Sequence, residues 1–186
     1  MKLKQKKRED DIIRIHTDGS IFKNRGDIGG FGAVLKYKKL HKEMAGRVEN
    51  TTINRMEMMG AIYALKLLNH KDKVIHVYSD SQYLVKGMNE WMVGWLRRNW
   101  IGSTGAPVKN KDLWEDLKAL NDKLNIKWIW IRGHVGHEWN ERADVLAKAA
   151  ALGEFDADGG NTEEALRNDI ERCKRSMDML NKLKGF

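Results

Sequence analysis

The order in which the hydrophobic period changes along the chain is the strongest constraint on its fold. Ile13, Ile15 and Thr17 alternate with polar residues, a period of two that is typical of a strand with one buried face. Two further strand-like stretches follow at 29–37 and 40–48, after which apolar residues recur at steps of three or four. The chain therefore begins as an antiparallel meander of three strands that leads into a helix.

The rest of the sequence alternates between the two periods. We predict helices at 54–68, 81–96, 111–124 and 138–152, and strands at 74–78 and 126–131. The resulting order, β-β-β-α-β-α-α-β-α, indicates an α/β fold in which a five-stranded mixed sheet carries helices on both faces.

Composition changes at both ends of this pattern. Residues 1–10 contain five Lys or Arg and almost nothing apolar, which predicts a flexible basic arm ahead of a domain at 11–152. The stretch 153–161 is acidic and Gly-rich, as expected of a linker. Within 162–186 the apolar positions have helical spacing and predict an appended amphipathic helix, docked on the core or on a partner: Leu166, Ile170, Cys173, Met177, Leu180 and Leu183.

The overall composition limits the class of protein. With 41% hydrophobic residues and seven Trp the chain can bury a core, which excludes a wholly disordered protein. It contains no apolar run near the roughly 18 residues of a membrane span, and the single Cys173 cannot form an internal disulfide. These features predict a cytoplasmic protein. The formal charge of +8 indicates nucleic acid as a partner, although charge alone also confers solubility.

Four acidic residues stand at positions where acids are unusual. Asp18 and Asp80 come at the ends of predicted strands, Glu57 lies in the first turn of a helix, and Asp144 lies inside an Ala- and Leu-rich helix. Each taken singly is explained as a helix cap or a solvated charge, and Asp80 directly before Ser81 fits an N-cap. Together they have another interpretation, because the carboxyl ends of strands in α/β sheets are where ligands bind.

If the four carboxylates converge, they predict a metal site. Closely spaced carboxylates repel one another unless a cation neutralises them, and oxygen ligands select Mg²⁺ or Mn²⁺ over zinc. Two divalent ions would balance four carboxylates and can support phosphodiester hydrolysis.

The segment G-H-V-G-H-E-W-N-E-R-A-D at 133–144 is the densest functional signal. His134 and His137 have the H-x-x-H spacing of zinc ligands, but no cysteine is near them. A structural or hydrogen-bonding role for His137 and proton transfer by His134 fit better.

Five motifs together resemble type 1 ribonuclease H. They are T-D-G-S at 17–20, T-T-x-N-R-M-E at 51–57, S-D-S-Q-Y at 79–83, P-V-K-N at 107–110, and G-H-x-G-H with N-E-R-A-D at 133–144. Their order and spacing match that family over about 11–152. The resemblance implies a ribonuclease H-like fold and an endonuclease that hydrolyses the RNA strand of RNA–DNA hybrids, with 3′-hydroxyl and 5′-phosphate products.

The resemblance also implies site residues. Asp18, Glu57, Asp80 and Asp144 would bind two Mg²⁺ ions, with Mn²⁺ possible, and His134 would assist proton transfer or product departure. Contacts with the substrate would come from Gly19, Ser20, Asn24, Asn54 and Gln82, and a pocket for a DNA-strand phosphate from Thr52 and Asn110.

Tryptophans and arginines interleave at 91–100, as in the substrate-binding protrusion of that family. We expect Trp91 and Trp95 to face the DNA strand and Trp100 to pack in the core, although a core stripe would explain all three. Two positions depart from the family pattern. Ile53 replaces an amide, and the loop 102–106 carries no charge, which predicts weaker binding of the hybrid or compensation elsewhere.

Two other functions remain open at this point. One is a catalytically weak or inactive protein of the same fold that binds hybrids or double-stranded RNA; the intact set of four acids argues against it. The other is a different nucleic-acid reaction on this fold, such as that of an integrase or a proofreading exonuclease.

The Gly-rich stretch 26–32 lacks the Lys-Ser/Thr of a P-loop and predicts close backbone approach instead. We expect a monomer.

Overall fold

A computed structural model describes residues 11–23, 27–68 and 72–154. The predicted basic arm at 1–10, the linker beyond residue 154 and the amphipathic helix at 162–186 lie outside the described residues, as does Asn24. Among the helices that the structure describes, none is long and apolar enough to cross a membrane.

Five strands form one mixed sheet. They are β1 (Ile12–Phe22), β2 (Ile28–Tyr37), β3 (Leu40–Val48), β4 (Val74–Ser79) and β5 (Asn125–Trp130). Their order across the sheet is β3-β2-β1-β4-β5. The pairs β3–β2 and β2–β1 are antiparallel, and β1–β4 and β4–β5 are parallel. This confirms the five-stranded mixed sheet predicted from the sequence.

Helices cover both faces of the sheet. They are α1 (Ile53–Lys66), α2 (Gln82–Lys86), α3 (Met92–Arg97), α4 (Lys111–Lys123) and α5 (Glu138–Leu152), with a π-helical turn at Gly87–Trp91 between α2 and α3. One core lies between the sheet and α1 to α4, around Ile15, Met58 and Trp114. A smaller core lies under α5, around Val34 and Leu146.

Helix α5 packs unusually close to β2 because β2 presents glycines to it. A Cβ added at Gly32 would lie 2.2 Å from the Ala143 carbonyl oxygen, and one at Gly30 would lie 2.2 Å from that of Ala147. The Gly-rich stretch therefore supports helix-on-sheet packing, as its sequence predicts.

The structure differs from the sequence prediction in the second helical region. A single helix was expected at 81–96, but the π-helical turn divides it into α2 and α3. Gly87 in this turn lies against the indole of Trp114 on α4, where an added Cβ would come within 2.1 Å of the ring. Local periodicity contains no trace of this contact, because Trp114 is distant in sequence.

Candidate active site

Three carboxylates from three different elements meet at one edge of the sheet. Asp18 lies on β1, Glu57 on α1 and Asp80 directly after β4, and each offers an oxygen within 4.8 Å of those of the other two. Two of the three are buried, since Asp18 is 5% exposed and Glu57 is 7% exposed. Burial of like charges at this spacing is too unfavourable to occur without a compensating proton or cation.

The strand register brings Asp18 and Asp80 together. The parallel ladder between β1 and β4 ends with the pair His16 and Tyr78. Asp18 within β1 and Asp80 directly after β4, each two residues further on, therefore come level at the carboxyl end of β4. This is the edge of an α/β sheet at which ligands bind.

Helix α1 supplies Glu57 from above β1. The hydroxyl of Thr52 caps the helix by accepting a hydrogen bond from the Arg55 backbone N–H at 3.4 Å. A Cβ at Gly19 would lie 2.7 Å from the Glu57 backbone nitrogen, so the absence of a side chain at residue 19 lets the first turns of α1 rest on β1. The T-D-G-S and N-R-M-E motifs are thus in direct contact.

The electrostatics of the site favour bound protons when no cation is present. Burial, with Asp80 and Asp144 nearby, raises the pKa of Asp18 to about 7, against a lowering effect of the Gly19 backbone N–H, which donates to Asp18 Oδ1 at 2.7 Å. Burial and the charges of Asp18 and Asp80 raise the pKa of Glu57.

The donor set suits a hard divalent cation. Glu57 Oε2 is buried and has no hydrogen-bond partner among the described residues. An acceptor left without a partner in this way costs about 1–3 kcal/mol, which a cation at the meeting point of the three carboxylates would offset. All three ligands are carboxylate oxygens, the type that Mg²⁺ and Mn²⁺ prefer.

Asp144 lies at the margin of this cluster. It is on α5, and its carboxylate accepts an ion-paired hydrogen bond from Lys148 Nζ at 2.6 Å, one helical turn further on. It is not one of the three carboxylates within 4.8 Å of one another. Its charge nevertheless raises the pKa of both Asp18 and Asp80, so it borders the same site.

The explanation of Asp80 as a helix cap is wrong. The Ser81 hydroxyl caps α2 by accepting from the Leu84 backbone N–H at 3.3 Å. The Asp80 carbonyl instead accepts a hydrogen bond from Trp130 Nε1 at 3.0 Å, and a Cβ at Gly133 would lie 2.3 Å from Asp80 Oδ2. The end of β5 and the loop after it therefore fix Asp80, and its carboxyl remains available to the site. Burial raises the pKa of Asp80.

The two loop histidines have different environments. His134 is exposed, has a left-handed backbone with φ of 54°, and lies near enough to Asp80 to lower the pKa of that carboxyl. His137 precedes α5, and its backbone carbonyl accepts from the N–H groups of Asn140 and Glu141 at 2.9 Å. Within the described ranges, neither histidine belongs to a group of three potential metal ligands.

The residues expected to contact a substrate lie on the elements that carry the acids or, for Gln82, on the helix that follows Asp80. Gly19 and Ser20 follow Asp18 on β1 and are half-buried, and Asn54 is half-buried in the first turn of α1. Gln82 is exposed and is the first residue of α2.

The two residues expected at a phosphate pocket are connected through Arg55. The Thr52 hydroxyl accepts from the Arg55 backbone, while Asn110 Oδ1 accepts from Arg55 Nη1 at 3.4 Å. Arg55 also makes a two-pronged ion pair with Asp112, at 3.0 and 2.7 Å. Asn110 has a left-handed backbone, with φ of 57°, and its Nδ2 donates to the Tyr83 hydroxyl at 3.3 Å.

The structure corrects the expectation for Trp95. Trp95 is only 9% exposed and packs against Trp91 and Trp114, with ring centroids 5.8 and 5.1 Å away, so it is a core residue. Trp91 is 36% exposed and presents the open ring surface of this cluster. Trp100 packs against the core, as expected.

Three residues that support the site were not identified from the sequence. Arg55 and Tyr83 stand inside the motifs at 51–57 and 79–83, but their partners Asp112 and Asn110 lie on or beside α4. Trp130 belongs to the alternating strand pattern of β5, and nothing local indicates its bond to Asp80. Only the assembled sheet shows these contacts.

The sequence is similar to those of known ribonucleases H. The chain matches the ribonuclease H family over residues 10–152. It is 51% identical over 142 residues to the ribonuclease H of Thiobacillus denitrificans, covering 76% of this chain and 95% of that protein. It is 50% identical over 139 residues to the ribonuclease H of Chromobacterium violaceum, covering 74% and 93%.

Solved structures show the same fold. LC9-RNase H1, a type 1 RNase H with the type 2 active-site motif, is similar with a TM-score of 0.70 at 29% identity, over 88% of this chain and 85% of that one. LC11-RNase H1, solved in complex with an RNA/DNA hybrid, is similar with a TM-score of 0.54 at 21% identity, over 77% of this chain and 99% of that one.

Proposed function

Because the chain belongs to the ribonuclease H family, we propose that it hydrolyses the RNA strand of RNA–DNA hybrids by a two-metal-ion mechanism that leaves 3′-hydroxyl and 5′-phosphate ends. As a member of this family, the chain is an enzyme that hydrolyses phosphodiester bonds. The number of bound metal ions and the chemistry of the product ends are proposals. The observation that carries the proposal is the meeting of Asp18, Glu57 and Asp80 within 4.8 Å.

The acidic residues would hold the metal. Asp18, Glu57 and Asp80 would hold the ions where their carboxylates meet, with Glu57 and Asp80 on the substrate side, and Asp144 would complete the set from α5. When bound, two Mg²⁺ ions would activate water and stabilise the leaving 3′ oxygen, and Mn²⁺ is a chemically similar alternative. Asp144 would have to release its bond to Lys148 for all four to serve as ligands.

His134 would transfer protons at the exposed side of the site. Its ring is solvent-accessible and close to Asp80, and imidazole exchanges protons near neutral pH. It is therefore suited to protonate the departing oxygen or to help the product leave.

The half-buried and exposed polar groups around the acids would position the hybrid. Gly19, Ser20, Asn54 and Gln82 surround the acids with short donors and acceptors that suit a minor groove, where the 2′-hydroxyl distinguishes RNA from DNA. Asn24 is proposed for the same role from the sequence alone. Thr52 and Asn110, fixed around Arg55, would take a DNA-strand phosphate, and Trp91 would stack on that strand.

A cleavage assay tests this function. Labelled RNA–DNA hybrid, double-stranded RNA and double-stranded DNA are incubated with Mg²⁺ or with chelator, and the products are tested for extension by a polymerase, which requires a 3′-hydroxyl. Cleavage of the hybrid's RNA strand alone, dependent on Mg²⁺, is the expected result. Binding of the hybrid without cleavage would favour the inactive binding protein, and cleavage of double-stranded DNA would favour a different reaction on the same fold.

Two properties of the whole chain also remain predictions. A monomer is expected, which light scattering coupled to size-exclusion chromatography would measure. A cytoplasmic location is expected from the sequence and is tested by fractionation of the source cells.

A further inference from the structure

A groove lies beside the C-terminal end of the edge strand β3, between that strand, α1 and α4. It has a volume of about 400 Å³. Its apolar lining consists of Val48, Met59, Ile62, Tyr63 and Leu113, and its charged rim of Arg47, Arg55, Lys66 and Asp116. We call it the β3-edge groove. It is separate from the three clustered carboxylates, none of which lines it.

Most of the charge on the rim is already neutralised. Arg55 is paired with Asp112, and Lys66 with Asp116, each at 2.7 Å. Arg47 differs from both. Its ion pair with Glu49 is long, at 3.5 Å, and its Nε is buried without a hydrogen-bond partner among the described residues. A buried guanidinium N–H in this position requires an acceptor, and a carboxylate is the strongest that a protein offers.

The chain leaves α5 beside Arg47. Gly153 ends that helix in a left-handed conformation, with φ of 78°. A Cβ built on Gly153 would lie 3.5 Å from Arg47 Nη1. The residues that follow are acidic at 154, 156, 158, 163 and 164, and no Lys or Arg occurs before Arg167. Carboxylates that could accept from Arg47 Nε thus occur in the next few residues of the same chain.

The sequence beyond this acidic stretch has apolar residues that could pack on the apolar lining of the β3-edge groove. Six apolar residues from Leu166 to Leu183 recur at helical spacing, and such a face is stable only when it packs on another apolar surface. The eight residues 154–161 can span up to about 27 Å. That is enough to cross the edge of a sheet and reach its other side, about 10 Å away.

The sheet face that β1, β4 and β5 leave open is less suitable. Beyond α5, the sheet face of β1, β4 and β5 carries Arg14, His16, His76, Tyr78 and Lys127, with His16 stacked on Tyr78 at 4.7 Å. Ile12 and Val74 lie at one end of this face and Ile129 at the other, separated by these polar or basic side chains. An apolar helical face would therefore gain less by covering this face than by packing on the continuous apolar lining of the groove.

We propose that the segment after Glu154 turns around the edge of β3, pairs a carboxylate with Arg47, and packs its apolar residues into the β3-edge groove. The proposal concerns an interaction surface and is independent of the nuclease activity. It commits the groove to a segment of the same chain rather than to a second copy or to nucleic acid.

The single cysteine of the chain allows a direct test. A nitroxide attached to Cys173 in the full chain broadens the amide signals of residues near it in an NMR spectrum. Broadening is expected at Val48, Met59 and Leu113 and not at His76 or Lys127. Broadening centred on the β1–β4–β5 face, or none in the domain at all, would overturn the proposal.

A mixed sample distinguishes docking within one chain from docking between two chains. Isotope-labelled Cys173→Ser protein is combined with unlabelled protein that carries the nitroxide, so that only contacts between chains broaden signals. The expected result is no broadening. Broadening of the groove in this sample would assign the groove to a second copy and would contradict the proposal.

A charge placed in the groove tests the apolar contact. Leu113→Glu should reduce the docked fraction of the segment by about tenfold, equivalent to about 1.4 kcal/mol. Ile129→Glu, on the opposite sheet face, is the matched control and should leave the broadening unchanged. If the two variants behave alike, the segment does not use this groove.

Discussion

The carboxyl group of Asp18 is difficult to ionise, because it is 5% exposed and faces Asp80 and Asp144. Its pKa rises from 3.8 to about 7 on folding. Between these values the native state retains a proton that the unfolded state has released, so this group stabilises the fold at about pH 4 and loses that contribution as the pH rises to about 7. Linkage gives the size of the loss as about 4 kcal/mol.

Asp18→Asn should therefore stabilise the protein at neutral pH in the presence of chelator, because it removes the buried charge. The measurement is the thermal unfolding midpoint from about pH 4 to about pH 8. The two proteins should converge at the acidic end and separate as the pH rises, and saturating Mg²⁺ should narrow the difference. Asp122→Asn, on the exposed side of α4, is the charge-matched control. Parallel profiles for the wild type and Asp18→Asn would show that Asp18 ionises normally.

His134 is the second residue whose role can be isolated. His134→Ala should slow single-turnover cleavage by about 10²-fold, the lower end of what a proton-transferring group contributes. Mg²⁺ affinity, measured by calorimetry, should not change, because His134 is outside the carboxylate group. His137→Ala serves as the control in the same loop. Loss of Mg²⁺ binding in His134→Ala would reassign His134 as a ligand.

At the scale of elements, the π-helical turn between α2 and α3 lies directly against α4, because Gly87 leaves room for the Trp114 ring. Gly87→Ala would place a methyl group within 2.1 Å of that ring and should destabilise the fold by about 1–3 kcal/mol. Gly94→Ala in α3 meets only the end of the Arg98 side chain, at 3.2 Å, and should be neutral or stabilising by up to about 1 kcal/mol. Urea unfolding measures both. Equal effects of the two substitutions would show that the close contact of Gly87 with Trp114 does not constrain the fold.

Two tryptophans of this region allow effects on hybrid binding to be distinguished from effects on stability. Trp91→Ala should weaken binding of the hybrid by about 1–3 kcal/mol and destabilise the fold less than Trp95→Ala does, because Trp91 is 36% exposed and Trp95 only 9%. Trp95→Ala should instead destabilise the fold by about 3–5 kcal/mol, as expected of a buried aromatic residue. Hybrid binding and urea unfolding are measured for both variants. A purely structural effect of Trp91→Ala would remove that residue from the proposed binding surface.

For the molecule as a whole, hydrophobic period predicted the element order and the sheet, and it placed α5 at its observed bounds of Glu138–Leu152. This was possible because a strand or helix with one buried face has apolar residues at a regular spacing in the sequence. The π-helical turn, the burial of Trp95 and the cap at Ser81 were not predicted, since each depends on a partner or a competitor that spacing does not reveal. The convergence of Asp18, Glu57 and Asp80 likewise required the register between β1 and β4 and the approach of α1.

The central claim is that the acidic cluster cuts the RNA strand of a bound hybrid. The most direct test compares wild type and Asp18→Asn in a single-turnover cleavage assay with Mg²⁺, together with the dissociation constant of the hybrid. The account predicts that cleavage by Asp18→Asn falls below detection while the hybrid binds as tightly or more tightly, because a charge that repels phosphate has been removed. Cleavage by Asp18→Asn at the wild-type rate would contradict it.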